Sequence, residues 1–197
     1  GSEAHEKRED PGSHEAYHQA GSLPACLEAE RFVKMARLEI GQIIAVLKEK
    51  LPEAVSEEVL GGVDPVVVVK AGEWSAVAEL CRDDSRLGFD LLSCITGVDY
   101  PEREGGAEIE VIYNLDSISN GHELTVKVKL PRSDPRVASV ESIWATADWH
   151  ERETYDLVGV IFEGHHNLVR ILCADDWVGH PLRKDYVPPD SFHGIKN

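Results

Sequence analysis

Long apolar runs, paired cysteines and basic clusters are all missing from this chain. No stretch approaches the roughly 18 consecutive apolar residues that mark a membrane span, so no span is expected. Cysteine is scarce and scattered: Cys26, Cys81, Cys94 and Cys173 include no C-x-x-C pair. Iron–sulfur clusters and structural zinc need several thiolates converging, usually with two from one short loop. The expectation is a chain without a redox centre or metal of its own, with Cys81 and Cys94 as small core residues. Gly-x-Gly-x-x-Gly, P-loop and Gly-x-Ser-x-Gly patterns are also missing, which removes the common nucleotide and acyl-transfer sites. Positive charge is in deficit: 20 Lys and Arg against 36 Asp and Glu give a formal charge of −16. That balance excludes nucleic acid and anionic lipid as direct partners and suits basic protein surfaces. The chain opens on acidic residues with no apolar h-region, so neither a signal nor a transit peptide is expected.

What is present suits one globular domain with extensions: 197 residues, 42% of them hydrophobic. Residues 1–33 read as a polar, flexible leader, rich in Glu and broken by Pro11, Gly12 and Gly21. His14 and His18 are spaced i,i+4 there, but no third ligand is evident, and they read as solvated. Leu38, Ile40, Ile43, Ile44, Leu47 and Leu51 recur at helical spacing from Met35 until Pro52 stops the helix. The valines of 66–70 read as a strand covered on both faces, and Trp74 to Cys81 as a short helix. Strands are expected up to Asp99, over 108–115 and over 124–130, the last alternating cleanly. Two helices follow, over 135–144 and 148–158. Adjacent hairpin strands beside segregated helices imply an α+β fold over 34–158, a two-layer sandwich of helices on a mixed or antiparallel sheet. Residues 159–197 form a long loop-rich tail. Its Phe162, Trp177, Tyr186 and Phe192 argue against permanent disorder and for an extended segment wrapped on a partner.

The densest chemistry lies in the expected helix Trp149-His150-Glu151-Arg152-Glu153-Thr154-Tyr155-Asp156-Leu157-Val158-Gly159. Trp149, Arg152, Glu153 and Asp156 fall near one stripe, with Glu151 and Tyr155 beside it. Two readings stand: a surface helix with an Arg152–Asp156 ion pair, or an electrostatic anchor holding two packed surfaces in register. Glu151 and Glu153 point to different sides, a poor arrangement for an acid–base pair. His165, His166, His180 and His193, with Asp175 and Asp176 nearby, invite a metal reading, but none of the histidines has helical ligand-pair spacing. His180-Pro181 reads as a turn that aims Arg183 and Lys184 outward.

Downstream of the helix come Gly159-Val160-Ile161-Phe162-Glu163-Gly164-His165, Leu168-Val169-Arg170-Ile171-Leu172 and Gly179-His180-Pro181-Leu182-Arg183-Lys184-Asp185-Tyr186. From Trp149 to Tyr186 this ordered series resembles the 30 kDa-type (C-type) subunit family of proton-pumping NADH:quinone oxidoreductase, respiratory complex I. Two positions depart from that pattern: Val169 replaces the first of a basic pair, and His166 stands where a proline is common. The resemblance implies a non-catalytic, structural component of the peripheral arm at the cytoplasmic face of a bacterial inner membrane. It implies partners among other complex I subunits, chiefly the D-type and also the B-type. NADH, FMN, iron–sulfur clusters and quinone would be bound by those other subunits, with electron transport and proton translocation performed by the assembly. Glu151, Arg152, Glu153, Asp156, Gly164, His165, Arg170, His180, Pro181, Arg183, Lys184 and Asp185 are the expected signature and interface residues. A homologous subunit of a membrane-bound hydrogenase or ferredoxin-dependent dehydrogenase fits the same signature. A stand-alone acidic adaptor is the remaining alternative.

Overall fold

The computed structural model describes residues 37–61 and 65–196. The expectations for the leader, for His14 and His18, and for Cys26 lie outside them. Helix α1 (Ile40–Lys50) buries Ile43, Ile44, Val46 and Leu47, the face that the sequence periodicity picks out. Strand β1 (Val55–Val59) was not legible in the sequence, because its glutamates face solvent and leave no apolar alternation. It is an edge strand, and such charges discourage pairing with another chain. Strand β2 (Val66–Val69) pairs with β1, and Val67, Val68 and Val69 are all buried, as a strand covered on both faces requires. Helix α2 (Trp74–Asp83) buries Trp74, Val77, Ala78 and Cys81.

Strands β3 (Leu91–Tyr100), β4 (Glu108–Ser117) and β5 (His122–Pro131) complete a five-stranded sheet of order β1-β2-β5-β4-β3. Only the β2–β5 pairing is parallel, so the sheet is mixed. Its register stacks Ile109 on Leu130, Val111 on Val128, Tyr113 on Val126 and Leu115 on Leu124. These buried pairs make one apolar face, and the three helices pack on the sheet in a single core. The expected α+β fold is the observed one.

One expected element is different. Residues 135–144 are not a helix: Arg136–Ala138 form β6, which pairs in parallel with β7 (Ile161–Glu163). A tight turn follows, in which Ile143 and Trp144 both donate to the Val140 carbonyl. Val137, Val140 and Trp144 are buried at i, i+3 and i+7, a helical spacing that a strand plus turn reproduces. Helix α3 (Ala147–Val158) lies against β3. Gly97 on β3 permits that approach, since a Cβ there would stand 2.8 Å from Thr154 Cγ2. Beyond β7 the chain is largely irregular, apart from a small hairpin of β8 (Ser191–Phe192) and β9 (Ile195–Lys196).

Candidate functional site

The C-terminal turn of α3 is where the tail returns to the domain. A helix leaves its last four carbonyls without intrahelical donors and carries partial negative charge there. Here the tail supplies the donors. Arg170 Nη1 donates to the Asp156 carbonyl at 3.2 Å, and His180 Nδ1 lies 3.0 Å from the same oxygen. The Leu182 N–H donates to Leu157 at 2.9 Å, and Arg183 Nε donates to Val158 at 2.7 Å. Gly159 closes the helix in the left-handed region, at φ 84°. A Cβ on it would lie 2.6 Å from the His180 imidazole and 2.8 Å from Arg183 Nη2, so conformation and space both require glycine.

Asp156 is the hub of this arrangement and is fully buried. Its Oδ1 accepts from Arg170 at 2.6 Å. Its Oδ2 accepts the backbone N–H groups of Ile171, Leu172 and Cys173 at 3.0, 2.8 and 2.8 Å. Burial opposes the charge, but the Cys173 and Leu172 N–H groups, Arg170 and the Ile171 N–H outweigh it and bring the carboxyl down to about 2. Arg170 continues to the Gly179 carbonyl at 3.0 Å. Burial also lowers the pKa of His180, which favours a neutral ring that donates from Nδ1.

A second anchor ties the tail to the sheet. Asp99 at the end of β3 accepts two hydrogen bonds from Arg132, at 2.6 and 3.0 Å, and one from the Lys184 N–H at 2.8 Å. Arg132 also reaches Asp185 at 2.5 Å. Asp99 and Arg132 were missed from sequence. The available signal was an acid at the end of an apolar strand, which becomes meaningful only once the tail is known to pass it.

A third cluster surrounds the buried ring of His165. Its Nε2 lies 3.4 Å from Glu141 and from Asp148, and 4.0 Å from Glu151. Glu151 is fully buried and accepts from the Ser139 hydroxyl at 2.6 Å and the Val140 N–H at 2.7 Å. Burial pushes its carboxyl up to about 7, with the Glu141 and Asp148 carboxylates adding to the effect and the two hydrogen bonds opposing it. Glu141 also binds His166, through the backbone N–H and through Nδ1, both at 2.7 Å.

The signature residues therefore divide. Asp156, Arg170, His180 and Arg183 meet at the helix end, Lys184 and Asp185 at Asp99–Arg132, and Glu151 and His165 in the acidic cluster. Pro181 sits in the docking turn beside His180, and Gly164 turns the chain after β7 at φ 89°. Glu153 is exposed. The Arg152–Asp156 pair does not form, because Arg170 and three amides occupy Asp156. Arg152 instead lies over the exposed Trp149 ring, 5.1 Å from its centroid, and donates to the Val169 carbonyl at 3.3 Å. Nor is Arg183 aimed outward: its guanidinium turns onto the helix carbonyls, while the Lys184 side chain is exposed.

Residues 67–191 match the family described as respiratory-chain NADH dehydrogenase, 30 Kd subunit. The NADH-quinone oxidoreductase C subunit of Chloroherpeton thalassium is 48% identical over 153 residues, which are 77% of this chain and 62% of that one. Its counterpart from Chlorobium phaeobacteroides is 42% identical, over 77% of this chain and 90% of its own. This chain thus spans less than two thirds of the first relative and nearly all of the second. Among solved structures, a trypsin-resistant fragment of Nqo5 superposes with a TM-score of 0.53 at 31% identity, covering 64% of this chain and 99% of the fragment. A chain of an archaeal membrane-bound sulfane sulfur reductase gives a TM-score of 0.62 at 28% identity, covering 75% of this chain and 85% of its own.

Proposed function

This chain belongs to the 30 kDa subunit family of respiratory-chain NADH dehydrogenase, and we propose that it is a non-catalytic scaffold in the peripheral arm of complex I. The observation that carries this reading is the use made of the tail's polar groups. Arg170 and Arg183 are spent on Asp156 and the α3 carbonyls, and Asp185 pairs with Arg132, so these groups fix the shape of the tail. Beside its exposed charges, the shaped segment also turns apolar side chains outward: Val178 and Val187 are 84% and 81% exposed, with Leu172 and Leu182 above half. Exposed apolar side chains held on an ordered backbone suit a permanent protein interface, since little entropy remains to be lost on docking.

The proposed occupants of that surface are other complex I subunits, chiefly the D-type and then the B-type, which with their neighbours carry the cofactors and quinone. NADH oxidation, quinone reduction and proton pumping then belong to the assembly, at the cytoplasmic face of a bacterial membrane. Residues 159–197 act as the partner-facing segment. Among the described residues no helix is long and apolar enough to cross a membrane, so attachment in this reading is through other subunits. The likeness to the sulfane sulfur reductase chain supports one alternative: a homologous subunit of another membrane-bound respiratory complex with a different electron donor.

Native co-purification from the source cells tests both. The first reading expects complex I subunits and NADH-driven quinone reduction in the same peak, and replacement of Val178 and Val187 by Asp should release the chain without altering its melting temperature. Recovery with a complex that does not oxidise NADH favours the alternative. Recovery as a lone species contradicts both.

A further inference from the structure

We propose that Glu141, Asp148, His165 and His166 bind one divalent transition-metal ion of the zinc class, clipping three segments together beneath the start of the tail. Glu141 comes from the turn before α3, Asp148 from the first turn of α3, and the two histidines from the segment after β7. One ligand atom from each lies within 4.8 Å of all the others. His165 Nε2 is 3.4 Å from both carboxylates, close to the edge of a tetrahedron with bonds of about 2.0–2.2 Å. His166 is the exposed member, so its ring can move to close the widest separations. No ligand pair was legible in the sequence because the donors come from three separated stretches.

The electrostatics also call for a cation. Glu141, Asp148 and Glu151 converge on one imidazole, and among the described residues their ion-pair partners are histidines only, with no Lys or Arg. Buried charge is normally paired or bound to metal. Asp148 Oδ1 is a further sign: it is out of contact with solvent and accepts no hydrogen bond. Two imidazole nitrogens with two carboxylate oxygens form a borderline donor set that favours zinc over magnesium or calcium. Glu151, held by Ser139 and Val140 and 4.0 Å from His165 Nε2, stands outside the ligand set. Three existing hydrogen bonds give way on coordination: His165 Nε2 to the Asp148 carbonyl at 3.2 Å, His166 Nδ1 to Glu141 at 2.7 Å, and the Asn167 N–H to His165 Nδ1. His165 Nδ1 accepts the Asn167 N–H at 3.0 Å, whereas coordination through Nε2 places the ring proton on Nδ1. The Asn167 N–H, in an exposed turn, then passes to water.

The test uses the full chain, stripped with chelator and dialysed against zinc alone. Metal analysis should find one ion retained per chain, and cobalt substitution should give visible d–d bands of a tetrahedral nitrogen–oxygen site. Separate His166→Ala and Asp148→Asn variants should each weaken zinc binding by more than about tenfold, while keeping the metal-free circular dichroism of the parent. His5, His14 and His18 are present in the same chain, so the loss in both variants is the decisive result. Zinc retention that survives both substitutions, or no retention by the parent, overturns the proposal. A parent whose melting temperature responds to pH but not to zinc shows a proton-binding cluster and overturns it equally.

Discussion

Asp156 shows how much one residue can organise. Its two oxygens take four donors, three of them consecutive backbone amides, so the carboxylate sets the path of 171–173 directly. Asp156→Ala would orphan those amides and strand the mostly buried Arg170. Breaking a buried network of this kind costs about 3–5 kcal/mol, or roughly 6–20 °C in melting temperature for a chain of this size. Calorimetry checks it, and a change below a degree or two would place Asp156 in contact with water. The same residue sets an acid limit. Its folded carboxyl sits at about 2 against an ordinary 3.8, so the stability it contributes is complete above about pH 3.8 and is lost as pH falls toward 2. Melting curves between pH 5 and 2 should therefore show a decline in the parent that is shallower in Asp156→Asn. Gly159→Ala should destabilise by more than the about 1–2 kcal/mol of a left-handed non-glycine residue, because His180 and Arg183 already occupy the space beside it.

At the scale of elements, α3 is completed by chain that follows it by as much as 25 residues. Its exposed side is less important than its sequence suggests. Arg152 is half-exposed and makes a cation–π contact and one bond to a carbonyl, so Arg152→Met should change stability by only about 0–1 kcal/mol. A loss of several kcal/mol on thermal melting would show a stronger role for that stack. Helices α1 and α2 and strands β3 to β5 were legible from an apolar face with the right period, and β2 from its run of valines covered on both faces. Strand β1 lacks that pattern, and 135–144 imitates a helix through a strand and a turn. The dense charge of 149–156 drew attention to the residues that the tail contacts. Its partners were hidden, because Asp156–Arg170 and Asp99–Lys184 are joined by tertiary contact and not by local spacing. His165, Glu141 and Asp148 were separated for the same reason.

Across the whole molecule, polar and apolar surfaces have separate duties. Ion pairs and backbone bonds close the tail on α3 and β3, and the proposed interface uses the exposed valines and leucines of the same segment. The sequence alone suggested a tail ordered only by its partner, since its own backbone groups had no visible acceptors or donors. The helix carbonyls, Asp156 and Asp99 provide them. In the proposed assembly, ordering of the tail largely precedes docking, with little structural change expected in 170–185. Hydrogen exchange on the isolated chain measures that order amide by amide. The amides of Ile171, Leu172, Cys173, Leu182 and Lys184 should exchange orders of magnitude more slowly than unstructured peptide, with protection approaching that of β4. Exchange of these amides at unstructured rates, with protection gained only in the assembled complex, would refute an order built before docking.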